Sequence, residues 1–340
     1  MKQLLTLLLL LTATLTASAA GKYDNPDTIV VARDGTGEFR TITDAIEVCR
    51  AFMDYHKVIF VKRGTYKEKL IVPQWLQNIE ICGEDRDETI ITYDDHANIK
   101  MDGNYWPAVT KEQLISMSVD NRPNLGTFRS FTVRVDGNDI TFKNITIENN
   151  AAKLGQAVAL HTQGDRIVIL NCRLLGNQDT VYTGMPRTRI YFKDCYIEGT
   201  TDFIFGPSTA WFEHCAIHGK INSYITAAST PQDADYGYVF NNCTVTVSDQ
   251  VTKLYLGRPW RDYGYTLFMN CTLPAQIAPE GWHHWEKQRE KTARYAEYNN
   301  NGPGASPKTR VGWSRQLTKK EAAEITLDRV FQMDSAWQPE

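Results

Sequence analysis

Residues 168–206 read VILNCRLLGNQDTVYTGMPRTRIYFKDCYIEGTTDFIFG, and two aspartates in that stretch, Asp179 and Asp202, stand 23 residues apart. The frame around them repeats at the same interval, as LNCRL at 170–174 and KDCYI at 193–197. A repeat of this length, rich in β-branched and aromatic residues and without a helical period, predicts one coil of a solenoid per repeat. The expected fold is therefore all-β, a right-handed parallel β-helix. Residues one coil apart in such a fold lie at the strand spacing of about 4.8 Å, so the two aspartates are expected to be neighbours. Two carboxylates that close do not both ionise cheaply; one keeps a proton, and the pair can supply one nucleophile or base and one acid. Taken alone, N-Q-D-T reads equally as a solvated turn.

The cysteines follow the same frame. Cys172, Cys195, Cys215, Cys243 and Cys271 share one slot in LNCRL, KDCYI, EHCAI, NNCTV and MNCTL, and Ile145 fills it one repeat earlier in KNITI. The spacings from Ile145 onward are 27, 23, 20, 28 and 28 residues. A slot that accepts Ile or Cys is a small inward apolar position, so a ladder of buried thiols is expected rather than a disulfide framework. The N-x-T matches at Asn144, Asn242 and Asn270 belong to this coil pattern and read as structural rather than as glycan acceptors. No C-x-x-C or H-x₃-H pattern points to a metal, and neither metal nor cofactor is expected.

Residues 1–20, MKQLLTLLLLLTATLTASAA, carry a positive start at Lys2, a short apolar run and a small-residue site at Ala17-Ser18-Ala19. This predicts a removable export signal, with the product periplasmic or secreted and not anchored in a membrane. No linker or charge block divides residues 21–340, which are expected as one domain and, with both ends of the solenoid capped, as a monomer. The net charge of −3 offers no broad basic field for nucleic acid.

In the first third, VVARDGTGEFRTITDAIEVCRAFM predicts a turn at Asp34 to Gly37 and a short helix. Ile42, Ala45, Ile46, Cys49 and Met53 would lie on its covering face, over the open end of the solenoid. Gly64, Tyr66 and Glu68 read as a structural corner. Residues 94–125 break the rhythm and predict an inserted surface loop, in which Tyr105 and Trp106 either border a groove or pack outside it. Further on, Gln156 lies one coil before Gln178, and a neutral amide can donate to a developing oxyanion without adding charge. Arg258, in LYLGRPWRDYG, is a candidate partner for an ionised carboxylate, and Trp260 offers a flat face of the kind on which sugar rings stack. Singly, each also reads as a satisfied turn, surface or packing residue.

GTYKE at 64–68, QAVAL at 156–160, GNQDTVY at 176–182, GTTDFIFG at 199–206, LGRPW at 256–260 and AEYNNNGPGASPKTRVGW at 296–313 together resemble the pectin methylesterases of carbohydrate esterase family 8. The resemblance runs in order over nearly all of residues 21–340. It implies a groove for methylesterified homogalacturonan, with Asp202 as nucleophile and Asp179 as general acid and then base. It further implies that Gln178 and Gln156 stabilise the oxyanion, that Arg258 orients Asp202, and that Phe205, Trp260, Tyr182 and Thr201 contact substrate. By charge, Asp202 beside Arg258 is expected to be the ionised member. His283 and His284 have no counterpart role and are expected at the surface.

Two other classes share features with this pattern. A β-helix polygalacturonase or pectate lyase would have the same architecture, but inverting hydrolysis needs carboxylates about 6.5–9.5 Å apart, wider than one-coil stacking. A non-catalytic pectin-binding β-helix would keep the aromatics and have no need of the aspartates.

Overall fold

A computed structural model of the protein describes residues 21–101, 124–332, 337 and 339. The export signal expected at 1–20 and the loop residues Tyr105 and Trp106 lie outside the described residues. The strands form three sheets: sheet A, of eleven strands from Ile29–Val31 to Arg315–Gln316; sheet B, of seven from Gly64–Lys67 to Thr244–Val247; and sheet C, of seven from Leu70–Val72 to Tyr255–Gly257. The pairings are parallel, as in Phe192↔Phe212 of sheet A, Ile197↔Ile217 of sheet B and Val181↔Ile204 of sheet C. Between Lys57 and Gly257 the chain visits A, B and C once per coil, giving a right-handed parallel β-helix.

In strands such as Lys57–Val61 burial alternates, with positions 57, 59 and 61 buried and 58 and 60 not, while sheet C strands such as Val181–Thr183 and Ile204–Gly206 are buried throughout. Like residues stack from coil to coil. Phe192, Phe212, Phe240 and Phe268 form one column, with successive centroids 4.5, 4.3 and 4.3 Å apart and rings within 8° of parallel. Fully burying each such ring contributes about 1.5–3 kcal/mol.

The corner between sheets A and B explains the cysteine frame. Asn144, Asn171, Asp194, His214, Asn242 and Asn270 all take left-handed backbone, with φ between 47° and 56°. Asn and Asp tolerate that conformation because their short side chains bond locally. Here Asn171 Nδ2 donates to Asn144 Oδ1 at 2.8 Å and Asn242 Nδ2 to Glu213 Oε1 at 2.9 Å. The next residue in each coil turns inward: Cys172, Cys195, Cys215, Cys243 and Cys271 are buried and free. Burial pushes the thiols of Cys172, Cys195, Cys215 and Cys243 well above the ordinary range, which keeps them protonated.

The capping helix, Ile42–Glu47, is shorter than its apolar spacing suggests. Cys49 and Met53 are buried as expected, but from the loop beyond it. The chain must turn there to lay Lys57–Val61 beside Ile29–Val31, and Met53 O accepts from the side-chain amides of Gln77 and Asn78. The GTYKE corner is structural: the Glu68 carboxylate accepts from the backbone N–H groups of Ile42 and Thr43, and the buried Tyr66 hydroxyl donates to Lys62 O at 2.8 Å. Of the 94–125 insertion, the described base is closed by a Lys100↔Asn124 bridge.

The motif at 296–313 closes the last coils around a buried ion pair. Arg310 Nε donates to Glu297 Oε1 at 2.7 Å, with side chains 3% and 4% exposed. Arg310→Met strands that carboxylate without its partner and is expected to cost about 3 kcal/mol of stability. Urea unfolding of the variant beside the wild type checks this; a loss under about 1 kcal/mol would contradict it.

Candidate active site

The chain enters sheet C from sheet B through a second left-handed corner, where Asp179 has φ 68° and Asp202 φ 50°. Non-glycine residues hold such backbone only where the surroundings over-determine it. Here the ladder on either side does so: Asp179 N donates to Thr201 O at 3.1 Å, and Asp202 N to Tyr224 O at 2.9 Å. Phe203, directly after Asp202, is fully buried in the core. Gly199 makes room for it, since a Cβ there would fall 2.2 Å from Phe203 Cβ. The aspartates thus occupy equivalent corners of successive coils, with 8% and 5% of their surfaces exposed.

Arg258 faces Asp202 with both prongs of its fork, Nε to Oδ1 at 2.9 Å and Nη2 to Oδ2 at 2.6 Å. Bidentate geometry of this kind fixes the carboxylate in orientation as well as charge. Gly257 sets the approach, because a Cβ there would lie 1.9 Å from Thr226 Oγ1 on the neighbouring strand. Arg258 is itself clamped: its guanidinium carbon lies 4.0 Å from the Tyr224 ring centroid and 3.8 Å from that of Trp285.

Burial lifts the Asp179 carboxyl well above its usual value, and the charge of Asp202 adds to the rise, against a smaller pull from Arg258. At Asp202 burial is again the largest influence; the Arg258 hydrogen bond and charge oppose it without cancelling it, so this carboxyl too stays above its usual value. That corrects the expectation that Arg258 alone would bring Asp202 low. What separates the two is the fork, which among the described residues Asp202 has and Asp179 does not.

Gln156 and Gln178 are half-buried and sit on adjacent coils, Ala157 N donating to Gln178 O at 3.0 Å. Their backbone carbonyls serve the ladder, while neither side-chain amide bonds another described residue. Both amides are therefore free to donate to a ligand. Thr201 Oγ1 accepts from Ser223 Oγ at 2.8 Å. Tyr182, Phe205 and Trp260 form a continuous strip on the outer face of sheet C, with centroids 4.7 Å apart from Tyr182 to Phe205 and 5.8 Å from Phe205 to Trp260.

Sequence reading missed four residues here. Phe128, 4.8 Å from Tyr182, extends the strip and is 45% exposed. His161 lies under it, held at about 3 by burial and by Arg134, and so is neutral. Tyr224 and Trp285 clamp Arg258. Trp285 belongs to the GWHHWEK segment, whose His283 is half-buried against Tyr224 and Tyr255 while His284 is exposed as expected. The only available signal for Trp285 was the aromatic density of that segment. Trp285→Ala frees one face of the guanidinium, a cation–π contact worth about 0.5–2 kcal/mol. The expected result is a loss of about twofold to thirtyfold in kcat/KM, largely restored by Trp285→Phe; steady-state kinetics check it, and an unchanged rate would contradict it.

A shallow depression of about 630 Å³, lined by Arg86, Asp87, Arg173 and Tyr196 among others, lies at the corner between sheets A and B. It includes none of these groups. Among the described residues no set of three or more His, Cys, Asp or Glu is placed to hold a metal ion, and no helix is long and apolar enough to cross a membrane.

The pectinesterase family model matches residues 28–110 and 97–334. Pectinesterase 31 of Arabidopsis thaliana is 37% identical over 298 residues, covering 87% of this chain and 89% of that protein. A probable pectinesterase/pectinesterase inhibitor of Brassica napus is 34% identical over 88% of this chain, which spans 49% of its length. Among solved structures, the pectin methylesterase from carrot has a TM-score of 0.78 at 29% identity, over 91% of this chain and 93% of its own. A pectin methylesterase in complex with a hexasaccharide has a TM-score of 0.73 at 28% identity, over 92% and 98%. The chain belongs to the pectinesterase family and is a carboxylic ester hydrolase.

Proposed function

We propose that this protein hydrolyses the C6 methyl esters of homogalacturonan, with Asp202 as nucleophile and Asp179 as general acid and base. The observation that carries this reading is the difference between the two buried carboxyls: one held in a guanidinium fork, the other raised well above its usual value and, among the described residues, without a side-chain partner. In the first half-reaction an Asp202 oxygen bonds to the ester carbonyl carbon, and the oxyanion accepts from the Gln156 and Gln178 amides. The C6–O bond then breaks, Asp179 gives its proton to the leaving oxygen, and methanol departs from an acyl-enzyme anhydride. In the second, the Asp179 carboxylate takes a proton from water as that water attacks the acyl carbon. The bond to Asp202 breaks, leaving a free galacturonate acid and restoring both carboxyls.

Tyr182, Phe205 and Trp260 serve as the apolar platform for sugar rings, and Thr201, directly before Asp202, is read as a further substrate contact. The mechanism predicts a bell-shaped pH profile. Activity rises as Asp202 ionises through its raised pKa and falls where Asp179, raised further, loses its proton. The test is methanol release from highly esterified pectin, with polygalacturonate as the blank. Methanol without new reducing ends or unsaturated uronides supports the reading; chain cleavage without methanol rejects it.

We further read residues 1–20 as an export signal and residues 21–340 as one domain carrying the 94–125 insertion, and take the protein to act as a monomer. N-terminal sequencing of the exported product and light scattering test these points.

A further inference from the structure

The corners that carry the site residues from sheet B to sheet C differ in length. Five residues join Arg173–Leu175 to Val181–Thr183 around Asp179, and four join Tyr196–Gly199 to Ile204–Gly206 around Asp202. The corner that carries Gln156 is longer: ten residues, 150–159, lie between Thr146–Asn149 and Leu160–Thr162. A longer corner has more freedom to lose, so contacts outside its own coil must fix it. Toward Asp179 that contact is the ladder, Ala157 N donating to Gln178 O at 3.0 Å. On the other side stands the root of the 94–125 insertion. From it Ala97 N donates to Gln156 O at 2.8 Å, and Asn98 Nδ2 to Leu154 O at 2.6 Å. Gly155, between those two anchored residues, has φ 141°, which favours glycine, and a Cβ there would fall 2.7 Å from Asn98 Nδ2. The root is itself held. Lys69 Nζ donates to Asp95 Oδ2 and to Arg129 O, both at 2.5 Å, and the buried Asn149 Nδ2 reaches Asp95 O at 2.9 Å and Val158 O at 3.1 Å.

We propose that Asn98 is a positioning residue for ester hydrolysis: its amide holds Leu154 and Gly155 in the path that brings the Gln156 side chain to the oxyanion. The inference rests on the esterase reading above and adds to it a residue of the insertion that acts through Gln156. The Gln156 amide bonds no other described residue, so its place is set through its backbone. An oxyanion donor stabilises the transition state only from within hydrogen-bond reach, and a displacement of about 1 Å can cost up to about 10²-fold in rate. Asn98 is exposed, and losing its one side-chain bond leaves the core coils untouched. Its removal therefore loosens the corner without unfolding the solenoid, and the loss falls on kcat rather than on binding of the polymer.

The experiment measures kcat and KM for methanol release from highly esterified pectin in wild type, Asn98→Ala, Asn98→Asp, Gln156→Ala and the double variant Asn98→Ala with Gln156→Ala. Asn98→Ala should lower kcat about threefold to tenfold, with KM within about twofold of wild type. Asn98→Asp keeps the shape but not the donor and should lose at least as much. Gln156→Ala should lose about 10²-fold, and adding Asn98→Ala to it should change little further, because a residue that acts through another then has nothing left to position. A merely structural role would lower the rate by the same factor in both backgrounds. That result, an unchanged kcat in Asn98→Ala, or a loss confined to KM would overturn the proposal while leaving the esterase reading intact. A wild type that releases no methanol would reject the esterase reading and the proposal together.

Discussion

Replacing Asp202 by Asn is expected to lower methanol release from esterified pectin by at least about 10³-fold while leaving pectin affinity within a few-fold of wild type. The amide matches the carboxylate in shape and keeps the sheet C corner, yet it is a poor nucleophile and carries no charge for the fork of Arg258. The surviving rate is what the free Gln156 and Gln178 amides and the aromatic strip supply by binding and polarising the ester. Methanol release and equilibrium binding, measured on the same preparation, check this. Turnover near the wild-type level would remove Asp202 from the chemistry, and loss of binding in step with rate would make its role structural.

Asp179→Asn is expected to lose about 10³-fold in rate, because neither departure of methanol nor activation of water then has a proton carrier. It should also stabilise the protein, and the sign follows from the direction of the shift. The folded-state pKa of Asp179 lies above that of the unfolded chain, so between those two values the folded state binds more protons and stability falls as pH rises. Once the pH is above the unfolded value the penalty is present and grows toward the folded value, and a neutral amide removes it. The expected gain is about 1–2 kcal/mol near pH 7, vanishing below about pH 4, where the carboxyl is protonated in both states. Asp202→Asn should give no such gain, because it leaves Arg258, 20% exposed, without its counter-ion. Urea titrations of both variants at two pH values check the contrast; a destabilised Asp179→Asn at neutral pH would contradict it.

Much of this architecture was legible because a solenoid writes its geometry into sequence spacing. The 23-residue interval that repeats LNCRL as KDCYI is also the interval that sets Asp179 beside Asp202, and the Cys slot marks the inward turn of every coil from 172 to 271. Arg258 could be named because a guanidinium on a Gly-x-Pro-Trp frame has few tasks near a carboxylate pair. The clamp on Arg258 could not. Trp285 comes 27 residues later, from a segment with no partner in the repeat, and its ring arrives through the path of a loop that no spacing records. Nor could the direction of the Asp202 shift be read, since the sequence shows the arginine but not the burial that outweighs it. The capping helix was overextended for a related reason. Apolar spacing continues to Met53, but the strand at Lys57–Val61 must begin within four residues, and that need ends the helix early.

The proposed mechanism centres on a charge-split pair, with Asp202 ionised against Arg258 and Asp179 carrying a proton. Infrared difference spectroscopy of wild type against Asp179→Asn near neutral pH tests it most directly. The prediction is a protonated-carboxyl band in the wild type that the variant lacks; spectra with no such band lost on replacing Asp179 would contradict it.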